Sequence, residues 1–274
     1  MPILVLTLTC WVEPRGSRWA MPLRRVIMLP GSVLPAALAY PALISQLGPD
    51  VEAVAKELEV YDESTPRANY SLDSEVAGID RVAAERGWDT FHLVGYSGGG
   101  ASVLAFTARQ PARVLSLSLL EPAWAGNWDD MSEAHRALWR RYAELQSLPP
   151  DQFMAGFMRL GVRPEVTLAP PPAGPPPPWM AKRPAGIRAF LATFATYDLD
   201  RQALRDYTRP VYFALGGLSN PDEYGEIAER LGRTFPDFTL EVFPERHHFD
   251  PPHRIQPADV AKSLQEVWGR AQPA

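Results

Sequence analysis

Short apolar segments alternate with longer helical patterns along most of the chain. The short segments have the length and side-chain content of buried strands, so the alternation predicts parallel strands joined by crossover helices. The predicted strands are Ile3–Thr9, Arg25–Leu29, part of Val51–Tyr61, Thr90–Val94, Val114–Leu120, Pro210–Leu215 and Phe238–Phe243. The predicted helices are Ala36–Leu47, Ser74–Arg86, Ala101–Arg109, Pro221–Leu231 and Pro257–Trp268. The expected fold class is α/β, with a mostly parallel, doubly wound sheet.

One long segment breaks this alternation. Residues 124–205 contain helical patterns but no good strand, which predicts a helical cap inserted into a core made of residues 1–123 and 206–274. Within the cap, residues 164–178 hold eight prolines in fifteen residues and cannot form a helix. We interpret this stretch as a stiff surface loop rather than a recruited binding motif.

The predicted cap is rich in large apolar side chains. Many of them must form its own core, but a cap folded over a site contributes some of them to an apolar pocket. The candidates for lining that pocket are Trp124, Trp128, Phe157 and Trp179. They favour a small apolar or aromatic substrate.

Composition excludes several classes of protein. With 274 residues and 46% hydrophobic content, the chain can bury one large core. Its net charge of −5 and the lack of any run of basic residues argue against nucleic acid as a partner. No apolar run reaches transmembrane length, and the apolar start lacks the features of a signal peptide. The lone Cys10 cannot form an internal disulfide, so we expect a cytoplasmic protein that does not enter membranes.

The clearest chemical signal is the segment Gly95-Tyr96-Ser97-Gly98-Gly99. It follows an apolar strand pattern and opens an alanine-rich helical one, which places Ser97 at the apex of a strand, turn and helix. Such a turn requires small residues on both sides of the serine, because strand and helix pack closely behind it. This pattern is typical of a nucleophile elbow and predicts a nucleophilic serine.

On this motif the chain resembles the α/β-hydrolase superfamily, and the resemblance extends over nearly the whole chain. It implies a catalytic Ser, acid and His in that chain order, with the histidine on a loop beyond the last strand. His247 and His248 occupy that loop, and the four-residue spacing from Pro244 favours His248, with His247 as the alternative. The cap sequence matches no particular subfamily.

The acid departs from the commonest family pattern. An aspartate is expected after the strand that ends near Leu215, but the loop there holds Ser219 and Asn220. Glu121 stands directly at the end of the strand Val114–Leu120, where haloalkane dehalogenases and pancreatic-type lipases carry their acid. We therefore take Glu121 as the acid and Asp222 as the alternative acid, although Asp222 also suits a helix start.

The resemblance also implies an oxyanion hole made of two backbone amides. Gly98 follows the nucleophile and supplies one of them. Pro30-Gly31-Ser32 stands where the family usually has His-Gly-x, so Ser32 is expected to supply the second.

The three remaining histidines have other expected roles. We expect His92 to pack within a strand, His135 to be solvated on a cap helix, and His253 to be structural. The pair His247-His248 does not suggest a metal site, since neighbouring histidines share no ligand face and no further ligands accompany them.

The sequence thus predicts a serine hydrolase that acts on an ester, thioester or lactone through an acyl-enzyme and needs no cofactor or metal. Two alternatives share the fold. The missing aspartate after the later strand would suit a non-catalytic binding protein for small molecules. Acyl transfer to an alcohol or amine would use the same residues as hydrolysis. The sequence does not specify the oligomeric state.

Overall fold

A single parallel sheet forms the centre of the molecule. The computed structural model describes residues 23–170 and 174–271, so the predicted strand Ile3–Thr9 and Cys10 lie outside the described residues. The strands are β1 (Arg24–Leu29), β2 (Val51–Ala55), β3 (Phe91–Ser97), β4 (Val114–Pro122), β5 (Val211–Gly216) and β6 (Phe238–Phe243). They pair in the order β2-β1-β3-β4-β5-β6. The predicted parallel sheet is confirmed.

Eleven α-helices are described in residues 23–170 and 174–271. They are α1 (Ala36–Ala39), α2 (Pro41–Ile44), α3 (Leu72–Glu85), α4 (Gly98–Arg109), α5 (Glu133–Leu145), α6 (Pro150–Leu160), α7 (Arg183–Thr196), α8 (Arg201–Arg205), α9 (Glu226–Thr234), α10 (Pro252–Ile255) and α11 (Pro257–Arg270). Among the described residues, no helix has the length and apolar character that a bilayer span requires.

Apolar side chains cover both faces of the sheet. Alternate residues of β3 point to opposite sides, so Leu93 joins one buried cluster and Val94 joins the other. Helix α4 is almost entirely buried, which explains its small residues. The sheet is therefore doubly wound, as the continuous apolar strands predict.

Two predicted helices differ from the observed ones. The single helix expected over Ala36–Leu47 is wrong, because the chain breaks into α1 and α2 at Pro41, which has no N–H to continue the first helix. The helix expected over Pro221–Leu231 begins with a wider π-helical turn at Pro221–Gly225, and α9 follows it.

Helices α5 to α8 all lie between β4 and β5, in the segment for which the sequence predicts a cap. Helix α5 begins after Ser132, whose hydroxyl accepts a hydrogen bond from the His135 amide at 3.0 Å. In the described parts of residues 164–178, no helix or strand forms before a short 3₁₀ turn at Pro178–Lys182.

Candidate active site

The sharp turn at Ser97 joins β3 to α4. Ser97 has a φ of 53°, a strained conformation for a residue with a side chain. A Cβ on Gly95 would lie 2.5 Å from the Gly99 carbonyl oxygen, and one on Gly99 would lie 2.5 Å from the Leu29 carbonyl oxygen. Because only glycine fits at these two positions, the tight packing holds Ser97 in its strained geometry.

Ser97, His248 and Glu121 form a continuous line of hydrogen bonds. His248 Nε2 lies 3.0 Å from Ser97 Oγ, and His248 Nδ1 lies 2.9 Å from Glu121 Oε2. Both bonds are satisfied when Nδ1–H donates to the carboxylate and Nε2 accepts from the serine hydroxyl. All three side chains are buried, and Ser97 is only 4% exposed. Burial strengthens each of these contacts, because water does not compete for them.

Glu121 reaches His248 through an irregularity in β4. The strand continues to Pro122, and its pairing with β3 shifts by one residue, so that Tyr96 pairs with Leu120 and Ser97 with Pro122. Glu121 is the unpaired residue of this bulge and has a φ of 48°. A bulge redirects a side chain, and here the other carboxylate oxygen accepts the Gly216 amide of β5 at 2.6 Å.

The alternative residues named from the sequence do not meet Ser97. Asp222 is exposed on the helical turn, where its amide donates to Asn220 and its carbonyl accepts from His135. His247 Nδ1 accepts the amide of Phe249 at 3.2 Å. The structure therefore brings Glu121 and His248 together and leaves Asp222 and His247 apart.

The other histidines are all buried. His92 lies 2.8 Å from the Ser116 hydroxyl within the sheet, and His253 packs against the ring of Tyr96 at 4.7 Å. Burial lowers the pKa of both to about 3. The expectation that His135 is solvated is wrong, because its imidazole is buried and donates to the Asp222 carbonyl at 2.8 Å.

The loop after β1 lies against the elbow. The Gly99 amide donates to the Pro30 carbonyl at 3.1 Å, and a Cβ on Gly98 would lie 2.3 Å from Ser32 Oγ. Ser32 and Gly98, the two residues expected to supply the oxyanion hole, are thus neighbours. The Tyr61 hydroxyl donates to the Ser32 carbonyl at 2.6 Å and holds this loop in place.

Aromatic rings that sequence reasoning missed surround His248. The Tyr224 ring stacks on the imidazole, with centroids 4.3 Å apart and planes inclined by 13°. Phe249 meets it edge-on at 5.0 Å, and the Tyr96 hydroxyl donates to the His248 carbonyl. Of these three rings, only Tyr96 could have been identified from the sequence, because it lies within the elbow motif. These rings confine the imidazole to the plane in which it reaches both neighbours.

Glu223 is a second buried carboxyl group beside this cluster. Its Oε2 accepts a hydrogen bond from the Tyr142 hydroxyl of α5 at 2.8 Å. Burial raises the pKa of Glu223 to about 8, and the negative charge of Glu121 adds to the effect. Glu223 is therefore protonated at neutral pH and links α5 to the turn at Pro221–Gly225 without adding a charge.

Glu223→Gln should raise the free energy of unfolding relative to wild type by on the order of a few kcal/mol at about pH 8, and by far less at about pH 5. The unfolded chain releases this proton at a pKa of about 4.3, whereas the folded protein keeps it to about pH 8. The wild type therefore loses stability as the pH rises through this window. Chemical denaturation of both proteins across the range measures the difference, and a constant difference would contradict the assignment.

The four pocket candidates lie in different surroundings. Trp124 is buried and stacks on Phe194, with centroids 5.4 Å apart. Phe157 packs against Phe249, which touches His248. Phe249 therefore lies between Phe157 and the imidazole.

Trp128 and Trp179 contact arginines instead. The guanidinium groups of Arg201, Arg205 and Arg230 lie 4.9 to 5.8 Å from the Trp128 ring centroid. Arg183 lies 5.6 Å from that of Trp179. The sequence missed Phe190 of α7, which lies 3.4 Å from the Cβ position of Gly98 and so covers the elbow. Its only signal was its place among the apolar residues of the cap.

The buried triple of hydroxyl, imidazole and carboxylate can activate the hydroxyl as a nucleophile. In the part of the chain that the structure describes, no group of three or more His, Cys, Asp or Glu side chains gathers as metal ligands. The chemistry that these three residues can perform is acyl transfer through Ser97.

Comparison with known proteins agrees with this geometry. The sequence profile of the alpha/beta hydrolase family matches residues 26–263. A thermophilic esterase from Thermogutta terrifontis is 19% identical, with a TM-score of 0.65 over 91% of both chains. An esterase from Exiguobacterium antarcticum is 16% identical, with a TM-score of 0.66 over 90% of this chain and 92% of its own. A carboxylesterase from Bacillus subtilis is 17% identical, with a TM-score of 0.59 over 92% of this chain and 85% of its own.

No curated protein matches the chain in sequence. At such low identities the similarity to the solved structures shows a shared fold alone. The family profile extends from β1 into α11. The sequence predicts an enzyme of the α/β-hydrolase type, and the family match agrees with that prediction. The chain therefore belongs to the alpha/beta hydrolase family.

Proposed function

We propose that the protein is a serine hydrolase that cleaves an ester, thioester or lactone through an acyl-enzyme. The observation that carries this proposal is the buried hydrogen-bonded line from Ser97 through His248 to Glu121. In this assignment Ser97 is the nucleophile, His248 is the general base and acid, and Glu121 orients the imidazole. The esterases among the similar structures support an ester substrate.

Each half of the reaction moves one proton through His248. As Ser97 Oγ attacks the carbonyl carbon, its proton passes to Nε2. The imidazolium then protonates the leaving alcohol or thiol, and the ester bond breaks. Water attacks the acyl-enzyme in the same way, the acid is released, and Ser97 regains its proton. Glu121 stabilises the imidazolium in both halves.

Charge that develops on the carbonyl oxygen needs donors in place before the reaction. We assign this role to the amides of Gly98 and Ser32, which lie beside Ser97. The Ser32 N–H donates no hydrogen bond to any residue that the structure describes, so it is free for the oxyanion. The bond from Tyr61 to the Ser32 carbonyl supports its orientation.

We propose that helices α5 to α8, which lie within residues 124–205, form a cap over Ser97. Ser97 is 4% exposed, so a substrate reaches it when these helices move away from the sheet. Phe157 packs against Phe249, which contacts His248, and Phe190 lies 3.4 Å from the Cβ position of Gly98. These two rings favour an apolar acyl or aromatic group.

The alternative of a non-catalytic binding protein rested on the missing aspartate after β5. Glu121 supplies a carboxylate from the neighbouring strand, at hydrogen-bonding distance from His248. This contact favours the hydrolase over the binding protein.

The test is covalent labelling by a fluorophosphonate, which reacts with an activated serine. We expect one adduct, on Ser97, because the Ser97 hydroxyl is hydrogen-bonded to the proposed general base His248. Mass spectrometry of the digested protein locates the adduct, and Ser97→Ala is the matched control that should remain unlabelled. An adduct absent from Ser97 in the folded wild type would refute the proposal.

A further inference from the structure

One face of helix α7 lies against the elbow at Gly98 and against Tyr61. Phe190 meets Gly98, and Arg183 occupies the same face two turns earlier, about 10 Å away along the helix axis. Between them, a Cβ on Gly186 would lie 2.1 Å from the ring of Tyr61. Tyr61 also holds the Ser32 carbonyl, so a single phenol ring separates Arg183 from the proposed oxyanion loop.

Arg183 is a buried cation with unused donors. It is 2% exposed, and its guanidinium carbon lies 3.8 Å from the Tyr61 ring centroid. Nη2 contacts Glu57 at 3.5 Å, but Nε and Nη1 are buried and have no hydrogen-bond partner in residues 23–170 and 174–271. A buried donor without an acceptor is costly, and it costs more when the group is charged.

The carboxylate of Glu57 is largely committed elsewhere. Oε1 accepts the Leu58 amide at 3.0 Å, and Oε2 accepts the Ala36 amide at 3.2 Å. Lys182 lies beside Arg183 and donates to the Tyr61 carbonyl at 3.1 Å, with no carboxylate within 4.0 Å among the described residues. The start of α7 thus holds two cations, and of the two only Arg183 has a described carboxylate, Glu57, within 4.0 Å.

Packing of the cap alone does not explain this arrangement. The stacking of Arg183 on Tyr61 uses the face of the guanidinium, whereas its N–H groups lie in the guanidinium plane. The first turn of α7 contains no acidic side chain that could accept from them. A buried guanidinium whose N–H groups meet no acceptor among the described residues is a feature of a site for an anion.

We propose that Arg183, assisted by Lys182, binds a carboxylate at the far end of the substrate. This inference rests on the proposed serine hydrolase and names its substrate class, an ester in which an apolar chain separates the scissile carbonyl from a carboxylate. The distance along α7 sets the length of that chain. The aromatic side chains of the cap contact its apolar part, and the guanidinium pairs with its charged end.

The test compares anionic and neutral esters of equal length. Nitrophenyl monoesters of dicarboxylic acids, from succinate to suberate, place the carboxylate on the acyl side, and their methyl-capped diesters are the neutral partners. Acetate esters of hydroxycarboxylic acids place it on the alcohol side. At one chain length, on one of the two sides, the kcat/KM of the anionic ester should exceed that of its neutral partner by about tenfold to a hundredfold.

Arg183→Met should reduce this ratio to about one, and Arg183→Lys should leave part of it. The ratio is the readout because any general effect on folding or on cap closure cancels within it. Arg188→Met is the matched control on the same helix, since Arg188 donates to the Leu148 carbonyl within the cap. It should leave the ratio unchanged. A ratio near one in the wild type for both series, or a ratio that Arg183→Met does not change, would overturn the proposal.

A binding measurement separates this inference from the proposed function. If no ester is cleaved and Ser97 takes no label, the hydrolase proposal fails, and the anion site is then tested by calorimetry with monomethyl suberate and its shorter homologues. Binding by the wild type that is lost in Arg183→Met and kept in Arg188→Met supports the site. Equal binding by wild type and Arg183→Met, or no binding by either, overturns it.

Discussion

Ser97→Ala is expected to lower the kcat for hydrolysis of short-chain nitrophenyl esters by about a millionfold. The substitution removes the hydroxyl that lies 3.0 Å from His248 Nε2, so no acyl-enzyme can form on residue 97. We expect any remaining rate to come from binding and from the amides of Gly98 and Ser32, which are the donors proposed for the substrate oxygen. Steady-state kinetics of both proteins at saturating ester measure the loss.

Ser118→Ala is the matched control for this experiment. Ser118 is buried in β4, and its hydroxyl has no hydrogen-bond partner in the part of the chain that the structure describes. Its loss should therefore leave both fold and kinetics close to wild type. Thermal unfolding of the three proteins checks that each is folded. Equal rates for the wild type and Ser97→Ala would indicate that the hydrolase fold serves binding here.

Glu121→Gln is expected to lower kcat by about ten thousandfold while the protein stays folded. The Gly216 amide requires an acceptor, so the glutamine carbonyl oxygen should face Gly216 and the amide nitrogen should face His248. His248 Nδ1 must then accept a hydrogen bond, which places the proton on Nε2. In this tautomer the imidazole can no longer take the proton of Ser97.

Asp222→Asn provides the comparison that identifies the acid. Both substitutions keep the shape of the side chain and remove a negative charge, but Asp222 is exposed and Glu121 contacts the imidazole. We expect Asp222→Asn to retain a rate close to wild type. A large loss in Asp222→Asn together with a retained rate in Glu121→Gln would reverse the assignment.

Most of the fold could be predicted from local patterns. The continuous apolar runs of β1, β3, β4 and β5 identify buried parallel strands, because a sheet covered on both faces needs apolar side chains on both. The prediction of one helix over Ala36–Leu47 was wrong because the helical periodicity there continues through a proline. At Pro41 the missing N–H divided an expected helix into α1 and α2.

The environment of the site was harder to predict. Tyr224, Glu223 and Arg183 have no distinctive local motif, and each matters only through partners that are distant in sequence. Tyr224 stacks on His248, and Glu223 meets Tyr142 of the cap. His135 was misjudged for the same reason, since its burial depends on contact between α5 and the turn at Asp222.

The sequence by itself determined the elbow, because a strained serine between strand and helix requires glycines within a few residues, and that requirement is local. Only the tertiary structure decided which acid meets His248. Glu121 lies 127 positions away from that histidine, and it reaches the imidazole because a bulge in β4 redirects its side chain beside the Gly216 amide of β5. Strand pairing and a positive φ create this contact, and neither can be deduced from the order of residues around Glu121.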